Sequence, residues 1–144
     1  MKISLLKIEN ITKILTYLGA LPFIIMTILK MMNINYFLNM SVNSLIITYS
    51  TIIISFICGM HFHYAIASNK NIKFLFISNI ITLIAWSSLF MPIKISFTIL
   101  IVCYIFNLII DFLAYKKLLI QKWFFKMRQN ISIIVILCLL ANIL

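Results

Sequence analysis

Three ionisable side chains lie inside otherwise apolar stretches of the chain, and they are the residues best suited to chemistry. His61 and His63 lie near the end of the run YSTIIISFICGMHFHYAIAS at 49–68, and Asp111 lies near the end of a later run. An ionised carboxylate within a membrane must face protein or reach the interface. A His61–Asp111 pair would act as a proton relay or as a hydrogen bond between two helices. The remaining alternative is an ion pair of Asp111 with Lys116 or Lys117.

Two asparagines lie at a similar depth. If each run is a helix rising 1.5 Å per residue, His61 lies about 10 Å and Asp111 about 6 Å from the same end. Asn107 lies one turn from Asp111 on the same face, and Asn79 lies near the start of another run. These positions predict one intramembrane polar cluster in the cytoplasmic leaflet, consisting of His61, His63, Asn79, Asn107 and Asp111.

The pattern does not indicate a metal site or a catalytic site. Residues two apart on a helix point about 200° from each other, so His61 and His63 cannot hold one ion together. Both histidines of the chain lie on one run, and the three cysteines show no CxxC spacing. G-x-S-x-G, HExxH and paired carboxylates are absent from the sequence. We therefore expect no catalytic residue, no metal, no cofactor and no enzymatic activity.

The composition identifies the elements that must position these residues. Of 144 residues, 65% are hydrophobic and 10% are charged, whereas soluble domains are about half apolar and a quarter charged. We expect an all-α, polytopic transmembrane bundle forming a single integral-membrane domain, 1–144. The apolar runs predict about five spans, at about 13–32, 44–68, 74–91, 95–115 and 128–144. The last apolar run is shorter than the roughly twenty residues that cross a bilayer, so we expect it to borrow a turn from Met127 to Asn130.

The basic residues predict the orientation of these spans. With the N-terminus in the cytoplasm, the outside retains only Lys30 and Lys94. The cytoplasmic side then holds the other ten: Lys2, Lys7, Lys13, Lys70, Lys73, Lys116, Lys117, Lys122, Lys126 and Arg128. This asymmetry follows the positive-inside rule and predicts an N-in, C-out topology. Because the net charge of +10 lies between apolar runs and forms no basic arm or groove, we expect no nucleic-acid partner.

The segment between the fourth and fifth spans is basic and amphipathic. Over 116–128, apolar residues fall on one side of a helical wheel and basic residues on the other. This pattern is typical of an interfacial helix whose basic face meets anionic head groups. An ordinary positive loop that fixes topology, or a helix that docks a partner, would carry the same charges. The membrane-surface residues would be Lys116, Lys117, Lys122, Lys126 and Arg128.

Four residues suggest close helix packing or a bent helix. Ser55 and Gly59 form a small-xxx-small pair that lets another helix approach. Gly19 and Pro22 lie in the first span, where Pro22 would kink the helix without ending it.

Two stretches are similar to the transmembrane protein 69-like family (domain of unknown function 3429). One is YLGALPF at 17–23, and the other is the run from Tyr49 to Ala67. The family's second span resembles Y-x-x-x-I-x-S-F-x-G-G followed by a hydrophobic residue, His or Arg, Trp and Gly. In this chain Cys58 replaces the first Gly, Phe62 the Trp and His63 the last Gly. The resemblance implies a multi-pass inner-membrane protein of bacteria or mitochondria and implies no activity.

Two functions remain open from these observations. The first is a non-enzymatic accessory or assembly protein that packs against other membrane proteins, or against itself, through small-residue faces. The alternative is a small oligomeric transporter or channel in which His61, Asn79 and Asp111 line a conduction path. The expected location is the bacterial inner (plasma) membrane, or the mitochondrial inner membrane if the protein is organellar.

Overall fold

The computed structural model describes residues 2–37, 39–68 and 72–143, which form five long helices. Lys70, one of the predicted cytoplasmic lysines, lies outside these residues. The helices are α1 (Lys2–Met31), α2 (Val42–Ser68), α3 (Ile72–Ser87), α4 (Ile93–Lys116) and α5 (Lys122–Ile143). Each is long and apolar enough to cross a membrane. The predicted all-α membrane bundle with five spans is therefore confirmed for the described part of the chain.

The helices form a bundle in which α2 and α4 are central. The α2 helix packs against α1, α3 and α4, while α5 packs against α4 and α1. The core consists mainly of α2 and α4 side chains, including Ile46, Ile54, Phe97 and Leu100. The α1 helix is peripheral, since its buried residues Ala20, Phe23 and Thr27 all lie in its second half. Residues 7–16 of α1 are exposed or half-buried.

Two short elements connect the helices at one end of the bundle. Strands β1 (Tyr36–Phe37) and β2 (Met40–Ser41) form an antiparallel pair between α1 and α2. Asn33 and Asn39 have φ of 61°, a left-handed conformation that asparagine tolerates better than most residues. A 3-10 turn at Ser88–Phe90 and Pro92 separate α3 from α4. The hairpin formed by β1 and β2 was not expected in an all-helical fold.

The predicted interfacial helix over 116–128 is not a separate element. The α4 helix ends at Lys116, a turn follows, and α5 begins at Lys122. Leu118 has φ of 59° in that turn, so a continuous helix cannot run through it. The fifth helix therefore includes about two and a half turns of the basic segment rather than one, and its 22 residues extend about 33 Å.

One end of the bundle gathers most of the charge, and we call it the basic end. It contains the start of α1, the end of α4 and the start of α5, with Lys13 lying 5.6 Å from the centre of the Trp123 ring. Lys30 and Lys94 lie at the opposite end, where Lys30 stands 5.6 Å from the Phe97 ring. Pro22 lies inside α1, which continues past it as expected.

Candidate functional site

A buried ionic cluster joins three helices near the basic end. Asp111 of α4 accepts a hydrogen bond from His61 Nε2 of α2 at 2.8 Å through Oδ1. Through Oδ2 the same carboxylate accepts one from Arg128 Nε of α5, also at 2.8 Å. His61 and Asp111 are 0% exposed and Arg128 is 5% exposed. We call these three residues the ionic cluster; its carboxylate bridges α2, α4 and α5.

The helical periodicity of each span explains why these side chains meet. On α2, His61 lies on the buried face with Ile54, Cys58 and Ala65. On α4, Asp111 follows Asn107 by one turn on the inward face. The charges of guanidinium and carboxylate compensate each other, which a low-dielectric site requires of any buried ion. The predicted His61–Asp111 contact is present, and the alternative pairing of Asp111 with Lys116 or Lys117 is absent from the described contacts.

Arg128 does not lie on the membrane surface as predicted. It lies on the buried face of α5 with Ser132, Val135 and Leu139. The prediction was wrong because it assigned Arg128 to the polar side by its charge, whereas Arg128 lies one turn after Phe124 and next to Met127 on the apolar side of α5. One signal was available in the sequence: Arg128 is the sole arginine among twelve basic residues, and arginine suits buried ion pairs better than lysine. The exposed basic residues of this segment include Lys116, Lys117, Lys122 and Lys126.

Of the other predicted cluster residues, one is buried nearby and two face outward. Asn107 is 1% exposed, accepts a 3.5 Å contact from Cys58 Sγ and donates to Cys103 O. His63 is exposed, on the side of α2 opposite to His61, as their 200° separation requires. Asn79 is exposed and donates to Leu75 O of its own helix. His63 and Asn79 lie at a depth similar to that of His61, but each faces outward from its own helix and is therefore excluded from the cluster.

A second polar contact joins α1 to α5 at the opposite end. Asn142 Nδ2 donates to Thr27 Oγ1 at 2.9 Å, and Lys30 Nζ donates to Asn142 O at 2.5 Å. In the middle of the bundle, Tyr49 Oη of α2 donates to Gly19 O of α1 at 2.9 Å. These bonds hold the second half of α1 and leave its first half unattached by comparable contacts among the described residues.

A cavity of about 370 Å³ lies beside the middle of α1, between Thr12 and Phe23. Its walls come from α1, α2 and α5, and Tyr104 of α4 also lines it. The lining is mostly apolar and includes Phe23, Ile57 and Val135. Arg128 contributes to the wall, so the cavity adjoins the ionic cluster. Leu15 and Phe56 line it and are also largely exposed, so its mouth opens to the side of the bundle.

Of the small residues predicted to pack helices, Gly19 contacts α2 through its carbonyl oxygen, and the Cβ positions of both glycines are open. A Cβ built on Gly19 or Gly59 would meet no atom within 4 Å. Ser55 Oγ donates to Thr51 O of its own helix. Gly59 is exposed on α2 beside Ile52, Phe56 and His63. We call these four residues the α2 outward face, since their spacing of four, three and four places them in one stripe.

No group of three or more metal-binding side chains lies together in residues 2–37, 39–68 and 72–143. The arrangement therefore offers two features outside the packed core: a cavity bordered by the ionic cluster, and the α2 outward face with an exposed glycine and histidine.

Comparison with known proteins gives one match. A family model described as "Protein of unknown function (DUF3429)" matches residues 8–144. No curated protein and no solved structure matches the chain significantly. The match confirms the resemblance to domain of unknown function 3429, whereas the designation transmembrane protein 69-like stays a prediction.

Proposed function

The chain belongs to the DUF3429 family, and we propose that this multi-pass membrane protein acts as a non-enzymatic accessory protein that docks helices of other membrane proteins. The observation that carries the proposal is the α2 outward face. Gly59 is exposed there, and nothing lies within 4 Å of a Cβ built on it. A partner helix can therefore approach the α2 backbone closely, as small residues permit in membranes.

His63 adds a polar group to the same stripe. It lies five residues before the end of α2, about 8 Å along the helix axis. An imidazole facing outward at this depth is best satisfied by a hydrogen bond from a neighbouring helix or by contact with the interface. A glycine and a hydrogen-bonding side chain one turn apart favour a specific helix contact over contact with lipid alone.

The ionic cluster supports the accessory function over the transporter alternative. A conduction path needs water at its ionisable groups, whereas His61 and Asp111 are 0% exposed and bonded to each other. Asn79, the third residue expected to line a path, faces away from them. The cluster therefore serves as a fixed joint between α2, α4 and α5 that holds the α2 outward face in place.

The remaining parts of the proposal concern location and orientation. We place the basic end in the cytoplasm, because cytoplasmic loops carry the excess of lysine and arginine. The exposed lysines at that end, including Lys122 and Lys126, then face anionic head groups. The location is the bacterial inner membrane, or the mitochondrial inner membrane if the protein is organellar.

Purification in a gentle detergent tests the docking function. The tagged wild type should retain a stoichiometric membrane protein, identified by mass spectrometry, and Gly59→Leu should lose it because the added side chain blocks close approach. Gly19→Leu is the matched control, since Gly19 lies on α1 and its Cβ position is equally open. Equal recovery of the partner with all three proteins would contradict the proposal. A clean homo-oligomer that dissociates in Gly59→Leu would make a second copy of the chain the partner.

A further inference from the structure

We propose that the cavity beside α1 binds a neutral, membrane-dissolved carbonyl compound of the isoprenoid-quinone class. The volume of about 370 Å³ falls within the range of about 300–1,000 Å³ typical of small-molecule pockets. A mostly apolar lining with a few polar groups is also typical of such sites. The cavity shares Phe56 with the α2 outward face, but the ligand inferred for it goes beyond the docking function.

Two buried donors in the cavity wall lack partners. Tyr104 Oη has no hydrogen-bond partner among the described residues, and Tyr104 is 1% exposed. Arg128 Nη2 has none there either, although Arg128 is 95% buried on the same measure. An unsatisfied buried donor costs free energy, and both residues line the cavity. Both atoms are themselves buried, so a ligand oxygen would accept from them, and remove that cost, once a neighbouring side chain in the cavity wall moves aside.

The third nitrogen of Arg128 contacts a flexible side chain. Arg128 Nη1 lies 3.8 Å from Met60 Sδ, which is a weak acceptor. Met60 also lines the cavity, and a methionine changes rotamer readily. Displacement of the Met60 thioether by a carbonyl oxygen would exchange a weak hydrogen bond for a strong one.

Charge and depth select a neutral acceptor over an acid or a phosphate. The Arg128 charge is already compensated by Asp111 at 2.8 Å, so a bound anion would add an uncompensated charge to a low-dielectric site. Arg128 lies six residues after Lys122, the first residue of α5, which is about 9 Å along the helix axis. The whole helix is about as long as the hydrocarbon core is thick. The site therefore lies below the head groups, where a quinone carbonyl can reach and a phosphate does not.

Gly19 allows the cavity to be filled without disturbing the ionic cluster. It lines the cavity, and a Cβ at this position meets nothing within 4 Å. Gly19→Leu should occupy the space that the ligand needs. Gly59→Leu introduces the same side chain at a position that does not line the cavity, and it serves as the matched control for ligand binding.

The test uses the full chain in phosphatidylcholine nanodiscs, titrated with decylubiquinone. Binding is read from quenching of Trp123 fluorescence in a Trp86→Phe background, since Trp123 precedes the cavity residue Phe124. We expect saturable quenching in the wild type and in Gly59→Leu, and its loss in Gly19→Leu. Tyr104→Phe should weaken binding about two- to tenfold, the value of one hydrogen bond.

Three results would overturn the inference. Quenching that rises linearly with decylubiquinone indicates partition into lipid. Unchanged binding in both Gly19→Leu and Tyr104→Phe places the ligand elsewhere. Palmitate that saturates at a lower concentration than decylubiquinone makes the site one for acids. If Gly19→Leu does not fold, Tyr104→Phe decides, because removing an unpartnered hydroxyl does not weaken the fold. Loss of partner docking in Gly59→Leu is a separate readout, so either proposal can fail without the other.

Discussion

Removal of Arg128 should destabilise the bundle far more than removal of a neighbouring surface lysine. Arg128→Met keeps an unbranched apolar side chain, removes the guanidinium and leaves the Asp111 carboxylate buried with His61 alone. At 2.8 Å and an effective dielectric constant of about 20, the lost attraction is about 6 kcal/mol. Part of this is offset because the guanidinium no longer has to be desolvated. The expected net loss is about 3–5 kcal/mol of unfolding free energy, as for other buried pairs that lose one partner.

The double variant separates the ionic pair from simple packing. Arg128→Met combined with Asp111→Asn removes both charges, and the amide oxygen at 111 still accepts from His61 Nε2. Replacement of a complete buried pair is often close to neutral, so the double variant should recover most of the loss and remain within about 1 kcal/mol of the wild type, the value of one hydrogen bond. Lys126→Met is the surface control and should change stability by no more than about 0.5 kcal/mol.

Unfolding in mixed micelles with increasing SDS measures these differences. Trp123 fluorescence in a Trp86→Phe background reports separation of α1 from α5, because Lys13 of α1 lies 5.6 Å from the Trp123 ring. Equal midpoints for Arg128→Met and Lys126→Met would refute the buried pair. A double variant as unstable as the single one would show that the pair's charge compensation is not what stabilises the bundle.

Three further predictions concern α1 and the orientation of the chain. Asn142→Leu removes the hydrogen bond to Thr27 and should cost about 0.6–1.7 kcal/mol in the same SDS assay, the range for such bonds in membranes; no loss would show that the contact is energetically irrelevant. Gly19→Ala should stabilise the protein by about 0.5–1 kcal/mol, because alanine favours helix and its Cβ meets no atom within 4 Å, so a loss would contradict the open space there. In a cysteine-free background, a cysteine at Asn39 should react with an impermeant maleimide from outside and one at Gln121 should not; the reverse would contradict the N-in topology.

The fold was predictable from the sequence because length and hydropathy dictate membrane spans. Runs of about twenty apolar residues separated by lysines fix the number of helices and their alternating direction. The His61–Asp111 contact was predictable for a related reason, since depth along a span follows directly from residue number. Helical geometry alone requires His61 and His63 to point to opposite sides of α2, so the prediction that both belong to one cluster was wrong for His63.

The rest of the site depends on rotation around each helix, which the sequence specifies poorly. Asn79 has the depth of the ionic cluster but faces outward. This direction was not predictable, because both sides of α3 are apolar and no periodic pattern indicates which side is buried. Arg128 was missed because its charge was taken to mark a surface position, although Phe124 and Met127 share its side of α5. The cavity was not predictable, since it depends on where α1 is bonded to the other helices. Tyr49 of α2 donates a hydrogen bond to Gly19 O, and Asn142 of α5 donates one to Thr27 farther along α1.

Site-specific photocrosslinking on α2 tests the proposed docking function most directly. A benzoylphenylalanine at Ile52 places the crosslinker on the α2 outward face in the native membrane, and one at Leu137, an exposed residue of α5, is the control. The account predicts a discrete adduct with another membrane polypeptide at Ile52 that disappears in a Gly59→Leu background, with no such adduct at Leu137. Adducts with lipid alone at both positions, or an adduct at Ile52 that survives Gly59→Leu, would contradict it.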